Sequence, residues 1–219
     1  FDAPVIKEAA SWFLDGVFLN YNSSYLEQML EQLLDEDDSP EITRFLRAVD
    51  VRIDGFRVEK APEWRGQRVF VKHEVDGKGY ELRLSEESAG TQKLMGLAAF
   101  LLAALERGGT VVVDELDAKL HPKLLRYVIL LFKDPEVNKS GAQLIFSSQD
   151  VSTMRNDVFR RDEIWFAARG EGEASQLWSL ADIHESNGNL VSKNAAFDKQ
   201  YLSGRYGADP YLTRIEEWD

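Results

Sequence analysis

The sequence predicts an α/β protein with parallel core strands, an antiparallel hairpin and an N-terminal helical segment. Three observations carry this expectation. Two short apolar runs, Thr110-Val111-Val112-Val113 and Gln143-Leu144-Ile145-Phe146, have the composition of strands buried on both faces of a parallel sheet. Between them a helical pattern opens at Pro122, a residue suited to a first helical turn, and runs to Phe132. The order is therefore strand, helix, strand. Asp76-Gly77 also stands between two strand-like runs and signals a hairpin.

Along the chain, Ala9, Phe13 and Val17 recur at helical spacing, as do Leu26, Leu30, Leu33 and Leu34. After a charged break at Asp35 to Pro40, Ile42, Phe45, Leu46 and Val49 continue a third short helix. Residues 1–50 are thus expected to be a helical segment, with 51–219 forming the main lobe. In that lobe Val51, Ile53, Phe56 and Val58 suggest a strand, and Val69–Val71 and Tyr80–Leu84 are the arms of the hairpin. A long apolar helix from about Gln92 to Arg107 ends at Gly108-Gly109. A last strand is expected at Glu163–Ala167.

Composition narrows the function. In 219 residues, 44% hydrophobic and 11% aromatic, there is enough apolar material for a real core. There are no cysteines and only three histidines, His73, His121 and His184, so disulfide scaffolds and cysteine-based zinc sites are excluded. No apolar run is long enough for a membrane helix and no signal peptide opens the chain; a cytoplasmic protein without a membrane partner is expected. The formal charge is −12, with nine acids and no Lys or Arg between residues 8 and 43. That balance argues against sequence-independent binding of a phosphate backbone by this chain alone.

Three polar segments carry the chemistry. Val111-Val112-Val113-Asp114-Glu115 ends a strand in two adjacent carboxylates, at the edge where α/β sheets bind ligands. In phosphoryl-transfer sites an aspartate there holds magnesium and a neighbouring acid positions water; an acidic loop is the plainer reading. Glu87-Ser88-Ala89-Gly90-Thr91-Gln92-Lys93 precedes the apolar helix, where backbone N–H groups and the dipole make an anion site. An ordinary N-cap by Ser88 is the competing role. Ser147-Ser148-Gln149-Asp150 ends the next strand, and Gly90 lies 24 residues before Asp114, so all three converge on one sheet edge.

In that order the segments resemble the C-terminal half of an ABC-type ATPase head. The resemblance is greatest to the AAA-type ATP-binding proteins of bacterial defence and abortive infection, relatives of the overcoming-lysogenization-defect ATPases. By this resemblance Ser88, Ala89, Gly90, Thr91 and Gln92 match the signature motif, which caps the γ-phosphate of ATP held by a partner subunit. Asp114 and Glu115 match Walker B, with Asp114 for Mg2+ and Glu115 as the catalytic base or water-orienting group. Leu116 to Pro122 matches the D-loop segment, bringing Asp117 and His121 to the nucleotide, and Gln149 occupies the switch position. The tail Tyr201 to Pro210 is similar to the end of these ATPases, and the likeness extends over roughly residues 40–212.

The implied cofactors are ATP and Mg2+. The implied partners are a second copy in a head-to-tail ATP sandwich, an N-terminal Walker A lobe, and an effector nuclease or toxin; nucleic acid is left open. Two departures stand out. Gln149 replaces a histidine found in many such heads and carries no proton or charge. His121 stands where chromosome-maintenance heads have an aspartate, and a helix N-cap is its alternative role. No Gly-x-x-x-x-Gly-Lys-Ser/Thr stretch occurs, and the chain opens at Phe1, so a fragment or one piece of a split protein is expected, inactive alone.

Two other classes are open. A non-catalytic interaction or regulatory module would also lack a phosphate loop. A metal-dependent nuclease would use Asp114, Glu115, Asp117 and His121, although the spacing of Asp114 and Asp117 does not fit the usual pair one residue apart. Trp12, Trp64, Trp165, Trp178 and Trp218 are too scattered for a base-stacking platform. Arg155, Arg160 and Arg161 read as a solvated turn, and His73 and His184 have no partner identifiable from sequence.

Overall fold

The computed structural model describes residues 7, 10, 17–20, 39–49, 51–60, 67–169 and 174–208. Ala9, Phe13, the expected helix at Leu26–Leu34, and Trp12, Trp64 and Trp218 lie outside the described residues, as do Asp209 and Pro210 of the tail; Lys7 and Ala10 are helical. Two compact units are present, residues 1–149 and residues 150–219.

In the first unit, β1 (Val17–Asn20), β5 (Thr110–Val113) and β6 (Gln143–Phe146) form a parallel sheet in the order β1-β5-β6. The register sets Val17 against Thr110 and Thr110 against Gln143. Val17 to Asn20 is therefore a strand, where the periodicity of Ala9, Phe13 and Val17 suggested helix. Four residues are too few to display a period, and the pairing with β5 decides their conformation. β5 is the central strand, and Val111 and Val113 are buried. β6 is less enclosed than its apolar run suggests: Gln143 is exposed and Ile145 is 56% exposed. It pairs only with β5 among the described residues, so one edge and part of its faces stay open.

A second sheet, antiparallel, joins β2 (Gly55–Lys60), β3 (Gln67–Val75) and β4 (Lys78–Arg83). The β3–β4 turn has Asp76 at φ 52° and Gly77 at φ 72°. Two left-handed residues in a two-residue loop match the right-handed twist of the strands, as Asp-Gly predicts. Phe56 and Val71 face each other across β2 and β3 and are fully buried.

The three helices of this unit described next begin at capped ends. In α1 (Pro40–Ala48) Ser39 Oγ accepts from Ile42 N at 3.4 Å, and Ile42, Phe45 and Leu46 turn inward. α2 (Ala89–Arg107) starts slightly before the predicted Gln92 and is buried almost all round, from Leu94 to Leu105. It stops at Gly108, whose φ of +83° suits glycine and where a Cβ would meet Ser140 O at 2.4 Å. α3 (Pro122–Lys133) buries Leu125, Val128 and Ile129.

The second unit contains β7 (Trp165–Arg169) and β8 (Ser175–Ser179), paired antiparallel, and a short α4 (Phe197–Leu202). The strand expected at Glu163–Ala167 is thus present, shifted by two residues and in a separate hairpin sheet. Ile164, Phe166, Leu180, Val191, Phe197 and Tyr206 make its core. The Phe166 ring stacks on Tyr201 with centroids 5.7 Å apart, and lies 5.4 Å from Tyr206 and 6.1 Å from Trp178. Tyr201 to Tyr206, read as part of a family tail, thus contributes to this core.

Candidate functional site

The parallel sheet delivers its polar residues together. Past the last ladder positions, Ser147 N donates to Val113 O at 3.1 Å and Leu116 N donates to Ser147 O at 3.0 Å. These bonds extend the pairing of β5 and β6 into the turns that follow. Leu116 is fully buried and anchors the turn, while Asp114 and Glu115 are exposed.

Ser147 is the hub. Its hydroxyl donates to Asp114 Oδ1 and accepts from Glu115 N at 2.8 Å. Gln149 N donates to Asp117 Oδ1 at 3.3 Å, and Gln149 Nε2 reaches Glu115 Oε1 at 3.5 Å. That last distance is at the outer limit of a hydrogen bond, as is common before a substrate arrives. The geometry thus brings Asp114, Glu115, Asp117 and Gln149 into one connected group.

The turn is held in an uncommon conformation. Glu115 has φ +49° and Lys119 φ +65°, left-handed values that non-glycine residues adopt at some cost. Ala118 N bonds to Glu115 O and Leu120 N to Asp117 O, each at 3.0 Å. His121 ends the turn as the N-cap of α3: its Nδ1 accepts from Lys123 N at 3.1 Å. The capping role of His121 is therefore filled, and its exposed ring lies at the far end of the turn from Asp114.

The start of α2 packs against this turn. Ser88 caps the helix, accepting from Thr91 N at 3.1 Å, and its hydroxyl lies 2.9 Å from that of Thr91. Gln92 is turned back, its Nε2 donating to Glu87 O at 2.7 Å and to Ser85 O at 3.4 Å. Ser88 and Ala89 are exposed. Gly90 is needed for contact rather than for backbone freedom, because a Cβ there would lie 2.9 Å from Lys119 O. One helical turn on, Lys93 Nζ donates to Glu115 O at 2.5 Å. Gly90 and Lys93 thus tie Ser88–Gln92 to the Asp114–His121 turn.

Lys93 is the cation of this acidic group. Burial pushes its ammonium below the ordinary lysine value; Asp117, Glu115 and Asp114 pull it back up, and Lys119 adds to the lowering. Lys93 and Ser147 both stand in the polar segments of the sequence, but the motifs assign neither of them a role. The signal for Lys93 was its place one turn beyond Ala89 on α2. For Ser147 it was a hydroxyl at the first position after a strand parallel to β5.

The donor set fits magnesium. Mg2+ takes one or two protein carboxylates and completes its octahedron with phosphate oxygens and water. Asp114 is an exposed carboxylate oriented through one oxygen by Ser147. Among the described residues no group of three or more His, Cys, Asp or Glu side chains converges on a metal position. The site thus resembles a single-carboxylate magnesium site more than the cage of a two-metal nuclease.

Among the described residues no helix is long and apolar enough to cross a membrane. No curated protein matches the chain. Two solved structures show a distant likeness at 16% identity. One is a structure from work on ATP-driven dimerization and DNA-stimulated activation of SMC ATPases; the alignment covers 70% of this chain and 88% of that one, with a TM-score of 0.42. The other is an Smc head bound to the C-terminal winged-helix domain of ScpA; there 72% of this chain and 41% of that chain align, with a TM-score of 0.38. Residues 4–155 match the family described as AAA domain, putative AbiEii toxin, type IV TA system. That match spans more than half of the 219 residues, and the chain belongs to this family of AAA domains, nucleotide-binding ATPase domains.

Proposed function

We propose that this chain supplies the signature and Walker B half of an ATPase that dimerises around ATP and controls an effector, a nuclease or toxin, in antiphage defence. Residues 51–219 would be the C-terminal lobe of the head. The observation that carries the reading is the turn at the end of β5, where Ser147 Oγ joins the Asp114 carboxylate to the Glu115 backbone N–H and Lys93 ties the turn to the capped start of α2.

Each residue then has a task. Asp114, fixed by Ser147, would hold Mg2+, which when bound neutralises and orients the phosphates. Glu115, in its left-handed turn, orients the attacking water and accepts its proton. Gln149 steadies Glu115 and offers an amide hydrogen towards the γ-phosphate. Ser88, Ala89, Gly90, Thr91 and Gln92 form the helix start that caps the γ-phosphate of ATP held by the partner subunit, using N–H groups and the dipole of α2. Asp117 and His121 lie on the turn that faces that partner.

Because Gln149 carries no charge, turnover is expected to be slow, with closure of the dimer as the signal. A second reading, a non-catalytic regulatory module, is favoured by the lack of a phosphate-binding loop in these 219 residues. The two part company in one experiment. In the full-length protein, Glu115→Gln is expected to abolish ATP turnover and to accumulate an ATP-bound dimer on size exclusion. Turnover at the parental rate would remove Glu115 from the mechanism, and a parent protein that itself turns over no ATP would leave the regulatory reading.

A further inference from the structure

His73 lies outside the three polar segments of the candidate site, on β3, the central strand of the antiparallel sheet, opposite Tyr80. Both of its ring nitrogens face acceptors. Nδ1 is 3.0 Å from Arg52 O and Nε2 is 2.6 Å from Glu87 Oε1. A carbonyl and a carboxylate only accept, so the imidazolium, with two N–H groups, is the form that satisfies both. The pair is largely shielded, with 21% of the His73 side chain and 10% of that of Glu87 exposed.

Glu87 is the residue before the Ser88 cap, and it is held on three sides. Its N–H donates to Leu84 O at 3.1 Å, its carbonyl accepts from Gln92 Nε2 at 2.7 Å, and its carboxylate accepts from His73. Leu84 is itself buried, so the single turn of 3-10 helix over Leu84–Glu86 is fixed to the core at one end. That turn follows directly from β4 and packs beside β3, and the His73 bond adds a side-chain tie from β3 to Glu87, the residue after it. A short side-chain hydrogen bond thus links the central strand of the antiparallel sheet to the residue just before the first turn of α2.

We propose that His73 is a positioning residue: through Glu87 it sets the Ser88–Gln92 helix start in the place where it meets the partner's nucleotide. This rests on the signature role proposed for Ser88–Gln92. The two ring nitrogens allow the roles to be separated. Asparagine at position 73 carries an amide N–H near the place of Nδ1 and keeps the bond to Arg52 O alone. Glutamine carries it near the place of Nε2 and keeps the bond to Glu87 alone.

The test is steady-state ATP turnover of the full-length protein with Mg2+. His73→Asn is expected to lower kcat about tenfold, with KM for ATP within about twofold, whereas His73→Gln stays within about threefold of the parent. A purely structural anchor at Arg52 gives the opposite ranking. Equal losses in the two variants, or the larger loss in His73→Gln, would overturn the proposal. Glu87→Ala makes the same cut from the loop side, so the outcome is readable even if His73→Asn does not fold. Ser88→Asp is the control, because aspartate still caps α2 but sets a negative charge against the phosphate. Full turnover in Ser88→Asp means that the signature reading itself has failed. Lost turnover there, with full activity in His73→Asn and Glu87→Ala, means that only the positioning role has.

Discussion

The two units handle polar groups in opposite ways. At the end of β5 and β6 Asp114 and Glu115 are exposed: the Asp114 carboxylate accepts from the Ser147 hydroxyl, the Glu115 carboxylate has one long amide contact from Gln149, and both are carried on a turn with two left-handed non-glycine residues. In the second unit the polar atoms of the aromatic core bond within their own unit. Trp178 Nε1 donates to Tyr206 O at 3.2 Å, Tyr206 OH to Gln200 Oε1 at 2.6 Å and Tyr201 OH to Ala208 O at 3.3 Å. Closed hydrogen bonding around stacked rings favours one stable packing. Backbone strain beside exposed charge gives no such return, and its natural use is to hold groups ready for a ligand.

The largest effect that would sharpen this contrast is in the aromatic core. Phe166→Ala removes the ring that meets Trp178, Tyr201 and Tyr206 and is expected to cost about 3–5 kcal/mol, read as lost hydrogen-exchange protection in β7 and β8. A variant as stable as the parent would show that the cluster is not the core of this unit. In the first unit Gly90→Ala presses a methyl against Lys119 O, 2.9 Å from the ideal Cβ position, for a cost of up to about 3 kcal/mol. Turnover should fall with it, since the contact joins the helix start to the Asp114–His121 turn. Unchanged stability and activity would show that the two segments are not held together there.

The smallest effect is a pair of alkaline slopes of opposite sign. Burial pushes the Tyr206 phenol up to about 12 from a usual value near 10. Between those values the folded form keeps a proton that the unfolded chain releases, so stability falls as pH rises through that window, by about 2 kcal/mol at most. Lys93 is lowered instead. Just below the ordinary lysine value the unfolded chain holds the extra proton, and this group adds stability as pH rises. Urea melts of Tyr206→Phe and Lys93→Met against the parent, from neutral to strongly alkaline pH, read the two slopes. Tyr206→Phe should flatten the loss, and Lys93→Met should remove the gain.

Much of the first unit was legible because its signals are local. The Asp76-Gly77 turn, the Gly108 stop, Pro122 in the first turn of α3 and the apolar run of β5 each fix their own neighbourhood. What stayed hidden depends on distant pairing. Val17–Asn20 became a strand through β5, some ninety residues away, and the openness of β6 follows from its place in the sheet order. In the site, the motif positions Asp114, Glu115, Asp117 and Gln149 do cluster, as their shared sheet edge implied. The side chains that fasten them, Ser147 and Lys93, were not legible, because a lone hydroxyl and a lone lysine gain meaning only from the atoms opposite. His73 was obscure for the same reason: its partner Glu87 is fourteen residues away, across a hairpin.

The central claim is that Ser88 of one subunit and Glu115 of another serve the same nucleotide. Mixing two inactive variants of the full-length protein, Ser88→Asp and Glu115→Gln, tests it directly. Each homodimer has two defective sites. A mixed dimer has one site with both residues intact and one with both altered. With random pairing, ATP turnover is therefore expected to recover to about a quarter of the parental rate. A mixture no more active than its two components would contradict the shared site and, with it, the ATP sandwich.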